Sequence, residues 1–208
     1  MSIGTYAQLQ TAMENYAERT DFTSLLPDFI TLAEAEMRRD FARLGLRLRE
    51  AVTRTNLTPS SGACTLPTDY MAMKTVQARE SNPIRLEFKS EDWTDEAYPD
   101  GSSGVPVFYT IVGATLYMFP LTTSDIRITY FAYPAALSVS NTTNWLLTKY
   151  PDVYLWAASK QLEIYAGNLE GAAKYGGLYN ASLDGLKQAA MGADITPGTS
   201  RTASIGAQ

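Results

Sequence analysis

Apolar residues near the start of the chain recur at steps of three and four. Tyr6, Leu9, Met13 and Tyr16 line one face of a helix predicted over residues 5–19, with Thr5 or Ser2 as its cap. After the polar break Arg19-Thr20-Asp21, a second stripe of Ile30, Ala33, Met37, Phe41 and Leu44 predicts a helix over 25–44. Pro27 falls in its first turn, where a missing N–H costs nothing, and Gly45 stands where the helix should stop.

From about residue 46 the period changes to two. Leu46 and Leu48 alternate with Arg47 and Arg49, and segments rich in Val, Ile, Thr and Tyr follow. Strands are predicted near 49–57, 63–66, 73–79, 83–88, 106–112, 114–119 and 125–133. Between them stand the breakers Pro59-Ser60-Ser61-Gly62, Ser81-Asn82-Pro83, Asp100-Gly101-Ser102-Ser103-Gly104 and Thr122-Thr123-Ser124-Asp125. Gly113-Ala114 reads as a tight hairpin. Within this block, Ser90 is placed to cap a short helix whose first turn holds Glu91 and Asp92, acids that favour the positive end of the helix dipole.

The last third returns to helical spacing. Pro151 sits at a first turn, and Leu155, Ala158, Leu162 and Tyr165 step by three and four, while Val153, Trp156 and Ala157 make a second apolar face. Such a helix belongs at the centre of a bundle or against a neighbour. A final helix over about 169–192 carries Tyr179, Leu183, Leu186 and Ala190, with a kink or weak point expected at Gly176-Gly177. Residues 194–208 hold almost no large apolar side chains and read as a flexible tail. The expected fold is therefore α+β: a helical bundle of about four helices with an inserted antiparallel β-sandwich or small barrel module. Its parts are an N-terminal helical hairpin over 1–45, the β module over 46–140, C-terminal helices over 141–193 and the tail. There is no internal repeat.

Composition narrows the function. The chain has 208 residues, 45% of them hydrophobic, enough to close one core and a second smaller one. Thirteen tyrosines suit either a wet-edged interface or a Tyr-rich core. The net charge of −5 argues against duplex binding driven by phosphate neutralisation. One stretch departs from that balance, with Arg38, Arg39, Arg43, Arg47, Arg49 and Arg54 set among Glu34, Glu36, Asp40 and Glu50. It reads either as a solvated face, with Glu34 and Arg38 as an i,i+4 pair, or as ion pairing across a subunit boundary. No stretch approaches the ~20 apolar residues of a membrane span, and the opening residues carry no export signal. Asn-x-Ser/Thr matches at Asn56, Asn141 and Asn180 are accordingly taken as chance.

Candidate chemistry is sparse. With no histidine in the chain, the usual general base, the Ser-His-Asp and Cys-His arrangements and most catalytic zinc sites are excluded. The lone Cys64 reads as a strand residue, and neither a phosphate loop nor a dinucleotide fingerprint occurs, so no cofactor or metal is expected. Carboxylate-only chemistry remains open at Glu91, Asp92, Asp95 and Glu96 beside Trp93, where a pair of acids could serve glycoside hydrolysis or merely start a surface helix. Met71 and Met73 beside Tyr70 form a soft patch or fill the core.

Several segments, in order, resemble the head-to-tail adaptor (connector) proteins of tailed bacteriophages. They are Thr5-Tyr6-Ala7-Gln8-Leu9, then Pro27 through Glu36 with Arg38-Arg39, and the turn Leu66-Pro67-Thr68-Asp69-Tyr70. Gly104-Val105-Pro106, Tyr109-Thr110-Ile111, Leu116 through Pro120 and Ile128 through Ala132 follow. The most specific piece is Asn144-Trp145-Leu146-Leu147 with Tyr150-Pro151-Asp152-Val153-Tyr154-Leu155. The resemblance runs from about residue 5 to 190. It implies a non-catalytic virion protein, made in the host cytoplasm, that forms a twelve-membered ring between the portal and a tail or nozzle protein. Such a ring extends and seals the channel through which DNA passes without sequence-specific contact. The resemblance also implies that the helical part and the C-terminal tail face the portal, with Ile195, Pro197, Arg201 and Ile205 as docking residues. Two rivals stand beside it: a virion-associated cell-wall hydrolase using carboxylates, and a soluble non-viral binding module.

Overall fold

The computed structural model describes residues 3–80, 82–99 and 101–194, with side chains through residue 190. Expectations for the tail beyond Asp194, including Ile195, Pro197, Arg201 and Ile205, lie outside the described residues. Contacts divide the chain into two compact units, one formed by Glu50–Ala136 and the other by the chain on either side of it.

In the helical unit, the Thr5 hydroxyl accepts a hydrogen bond from Gln8 N and opens α1 (Tyr6–Ala17). A 3-10 turn over Thr23–Leu25 leads into α2 (Leu26–Leu44), which has Pro27 in its first turn and ends on Gly45 at φ +60°. Asn144 caps α4 (Trp145–Lys149), and Pro151 opens α5 (Pro151–Tyr165). Helix α5 is central. It packs on α1, α2, α4 and α6 (Leu169–Asp194), which is why Val153, Tyr154, Leu155, Ala157, Ala158 and Leu162 are all buried although they cover more than one face. The described residues of this unit hold five helices where about four were expected; α4 is too short to show a hydrophobic period. Two stripe positions differ from expectation, since Tyr16 and Tyr165 are 49% and 61% exposed. Each sets its ring edge-on to a half-buried aromatic, Tyr16 to Trp156 at 5.3 Å and Tyr165 to Phe22 at 5.4 Å. Helix α6 runs unbroken through Gly176-Gly177.

The β unit is one curled seven-stranded sheet of order β1-β7-β3-β4-β5-β6-β2. Its strands are β1 (Val52–Leu57), β2 (Ala63–Thr65), β3 (Tyr70–Ala78), β4 (Ile84–Phe88), β5 (Phe108–Val112), β6 (Thr115–Phe119) and β7 (Ile126–Ala132). Alternation at Leu46 and Leu48 does not make a strand, although both are buried, and Arg49–Ala51 forms a 3-10 turn instead. A strand needs a ladder partner, and β7 pairs with β1 only as far back as Val52 opposite Phe131. Antiparallel pairing was expected throughout, yet β4 and β5 pair in parallel. Glu87 N and Lys89 N donate to the carbonyls of Val107 and Tyr109, each at 2.9 Å. The connection over residues 89–107 is long enough for the crossover that parallel strands require, and it contains the short helix α3 (Glu91–Ala97). Val112 opposite Thr115 closes the β5–β6 hairpin around Gly113 at φ +59°, a position where a type II′ turn takes glycine. Side chains from β3, β4, β5, β6 and β7 meet in one core that includes Val76, Leu86, Leu116, Met118, Ile126 and Ile128.

Candidate assembly surfaces

The most specific sequence motif forms a buried hydrogen-bonded chain. Asn144 Oδ1 accepts from Leu147 N at 2.9 Å, and Asn144 Nδ2 donates to the Tyr154 hydroxyl at 2.7 Å. That hydroxyl donates to Glu34 Oε1 at 3.1 Å, and Leu137 N donates to the same oxygen at 2.8 Å. One residue of α2 therefore joins the segment before α4, α4 itself and α5. Burial raises the Glu34 carboxyl above its ordinary value, partly offset by the Leu137 and Tyr154 bonds and by the nearby Arg38 charge. Burial and the Glu34 charge push the Tyr154 phenol upward, which keeps it a proton donor. Leu146 and Leu147 are fully buried, and Trp145 lies 6.4 Å from Phe41 between ring centroids. Pro151 opens the helix that carries Tyr154.

The other motif residues hold turns of the β unit. Asp69 accepts from the Tyr130 hydroxyl at 2.9 Å, its carbonyl accepts from Tyr133 N at 2.8 Å, and Tyr70 N donates to Pro67 O at 3.0 Å. Leu66 is buried and bonds Ala114 O through its N–H at 2.9 Å. Burial and Asp69 raise the Tyr130 phenol to about 12. Pro106 is buried, and Tyr109 sits in the core against Phe88 at 5.6 Å. These residues fix turns. Asn144 and Tyr154 belong to the other unit.

Charged residues on α2 were read as a solvated face or as partners across a boundary. Asp40 pairs with Arg43 at 3.0 Å, and the acids also reach across to other helices. Glu34, Glu36 and Asp40 turn toward helix neighbours: Glu36 pairs with Lys160 and accepts from Gln161 Nε2 at 2.8 Å, and Asp40 accepts from the Tyr179 hydroxyl at 3.0 Å. Arg38, Arg39 and Arg43 stay exposed. Sequence spacing pointed Glu34 at Arg38 and missed Tyr154, which lies 120 positions away.

Among the candidates for chemistry, Glu91 and Asp95 line one recess of ≈230 Å³ together with Thr110, Tyr117 and Phe119, while Asp92 and Glu96 are not part of it. Both lining acids are exposed. Trp93 packs edge-on against Phe108 at 4.9 Å, under the Lys89 ammonium. Cys64 stands in β2, where burial raises its thiol to about 11 and keeps it from acting as a thiolate. Met73 packs on the core and Met71 is half-buried. Among the described residues, no group of three or more carboxylate or thiol side chains is placed to hold a metal ion. No described helix is long and apolar enough to cross a membrane.

The motif residues thus hold turns and helices within each unit, and charge is displayed on exposed faces. The chain matches the family described as SU10 adaptor protein over residues 4–201, and it belongs to that family, a group of structural adaptors of tailed bacteriophages. No curated protein matches the chain. Membership in a phage family displaces the reading as a non-viral binding module.

Proposed function

We propose that the chain is the head-to-tail adaptor of a phage virion, one subunit of a twelve-membered ring seated between the portal and a tail or nozzle protein. The observation that carries this reading is the family match, which spans both the helical and the β unit. In the ring, α1, α2, α5 and α6 act as a four-helix bundle and face the portal together with the C-terminal residues from Ile195 to Ile205. The β unit, an insertion with a sandwich-like core, faces neighbouring copies or the tail. A ring of identical copies needs two different faces on each subunit. The bore continues the DNA channel, and the acidic balance of the chain keeps it from gripping phosphate. The role requires no catalysis and no cofactor.

Negative-stain imaging and mass measurement of the protein mixed with portal rings test the proposal. A second ring of about twelve copies stacked on the portal is expected, and a chain that leaves portal rings bare would remove the reading. Deleting residues 195–208 should weaken capture by immobilised portal and leave helical content unchanged. The recess shared by Glu91 and Asp95 supports a second reading as a cell-wall hydrolase. Zymography decides that one: clearing that disappears in Glu91→Gln or Asp95→Asn would establish it.

A further inference from the structure

One face of the sheet is basic in an otherwise acidic chain. Pairing places Arg85 opposite Gln77, Gln77 opposite Arg127 and Arg127 opposite Asn56, so these side chains form a row on one face. Arg54 lies two positions from Asn56 and shares that face. The Lys74 ammonium sits 5.7 Å from the Phe131 ring, four positions along β7 from Arg127, and joins it too. Glu87 lies there as well, already paired with Lys89 at 2.9 Å. At the strand ends Arg79 and Asp125 add one charge of each sign. Arg54, Lys74 and Arg85 are exposed and have no ion-pair partner among the described residues.

The face also has depth. A bulge between Met73 and Thr75, with β3 and β4 paired only at Val76–Ala78, leaves a splay between the two strands. A recess of ≈390 Å³ opens there, with Lys74 and Arg85 at its rim and Phe88 and Tyr109 in its wall.

The opposite charge is carried by α3. Its residues other than Thr94 are exposed, and Glu91 with Asp95 and Asp92 with Glu96 are like-charge pairs one helical turn apart. Each such pair repels until a cation arrives. Helix α3 rests on β5 and β6 through Trp93 on Phe108, on the side away from the core. Because the sheet curls, inward residues of β3, β4 and β7 pack against those of β5 and β6 in a single core. The outer surface is thus shared between two patches, the basic one on β1, β7, β3 and β4 and α3 on β5 and β6, which adjoin at the β4–β5 junction, where Glu87 stands opposite Phe108 and its partner Lys89 lies over Trp93.

We propose that the basic face of β1, β7, β3 and β4, with its recess at Lys74 and Arg85, docks the acidic helix α3 of a second copy of this chain. The contact is heterologous: each copy gives its helix to one neighbour and its basic face to the other, the kind of contact from which a ring of identical copies is built. This deepens the ring reading and rests on it for the identity of the occupant.

Carbodiimide cross-linking of a mixture of isotopically labelled and unlabelled full-length chain tests the contact directly. Amide links between Lys74 of one copy and Asp92 or Glu96 of another are expected in mixed-isotope peptides, and their absence would overturn the inference whether or not rings form. In sedimentation at ~0.1 M salt, Lys74→Glu with Arg85→Glu, and separately Asp92→Lys with Glu96→Lys, should each weaken self-association by about tenfold or more. Combining all four substitutions should recover it. A combined variant that stays dissociated, or single-side variants that associate like wild type, would sink the idea. So would loss of short-duplex DNA binding in the Lys74/Arg85 variant with self-association intact, which would assign the face to nucleic acid. Mixed links from a chain that never forms rings on the portal would leave the contact standing and remove the ring reading.

Discussion

Glu34 is the residue on which the helical unit turns. Its carboxylate is held by Leu137 N and the Tyr154 hydroxyl, and burial raises its affinity for a proton. A carboxyl whose folded-state pKa lies above its unfolded value binds more protons folded than unfolded through that window, so its contribution to stability falls as pH rises. The difference in urea midpoint between wild type and Glu34→Gln should therefore shift in favour of wild type as pH is lowered from neutral toward the ordinary carboxylate range. A difference that is flat with pH would contradict this. Asn144→Ala removes a helix cap and a partner of the buried Tyr154 hydroxyl together, and should cost about 1–3 kcal/mol in the same measurement.

Among the elements, α6 contains two glycines with opposite expectations. Gly177 is exposed and a methyl there meets nothing within 4 Å, so Gly177→Ala should stabilise by about 1 kcal/mol and raise the melting temperature. A Cβ on Gly171 would fall 2.5 Å from Asn168 Nδ2 and 3.0 Å from the Glu163 carboxyl. Asn168 bonds both Gly171 N and Glu163, so Gly171→Ala should cost about 1–3 kcal/mol. Equal melting temperatures for the two variants would refute both arguments. The long helices and all seven strands were legible because their periods survive over several residues, as in Tyr6, Leu9 and Met13 or in the alternation of β6. Helix α4 was not legible as a helix, since five residues hold no period. Nor was the parallel β4–β5 pair, because register across a crossover depends on how α3 packs and not on either strand. The Asn144-Trp145-Leu146-Leu147 motif stood out in the chain, but its role did not: the Glu34 partner is recruited by three-dimensional packing, and nothing local encodes it.

For the whole molecule, the chain enters and leaves the β unit beside the paired strands β1 and β7, with Val52 opposite Phe131. An insertion whose ends meet needs little from its host. Residues 50–136 expressed alone should fold into a β protein with a cooperative thermal transition, and the remaining chain, joined by a short Gly-Ser linker, should keep its helical circular dichroism. A fragment 50–136 without structure would show that the two units stabilise one another.

The two halves of the curled sheet meet along β4 and β5, where only Glu87 with Phe108 and Phe88 with Tyr109 stand in register. That junction is a seam, held at two paired positions where the β3–β7 ladder has seven. Native-state hydrogen exchange should report it: the amides of Glu87 and Lys89 should exchange through a partial opening of lower free energy than the amides of β7. Exchange of both sets only with global unfolding would show the sheet to be a single cooperative block. A seam that parts first would let the cationic and acidic sides of a subunit adjust their angle to one another, so one chain could fit rings of slightly different curvature without breaking either face.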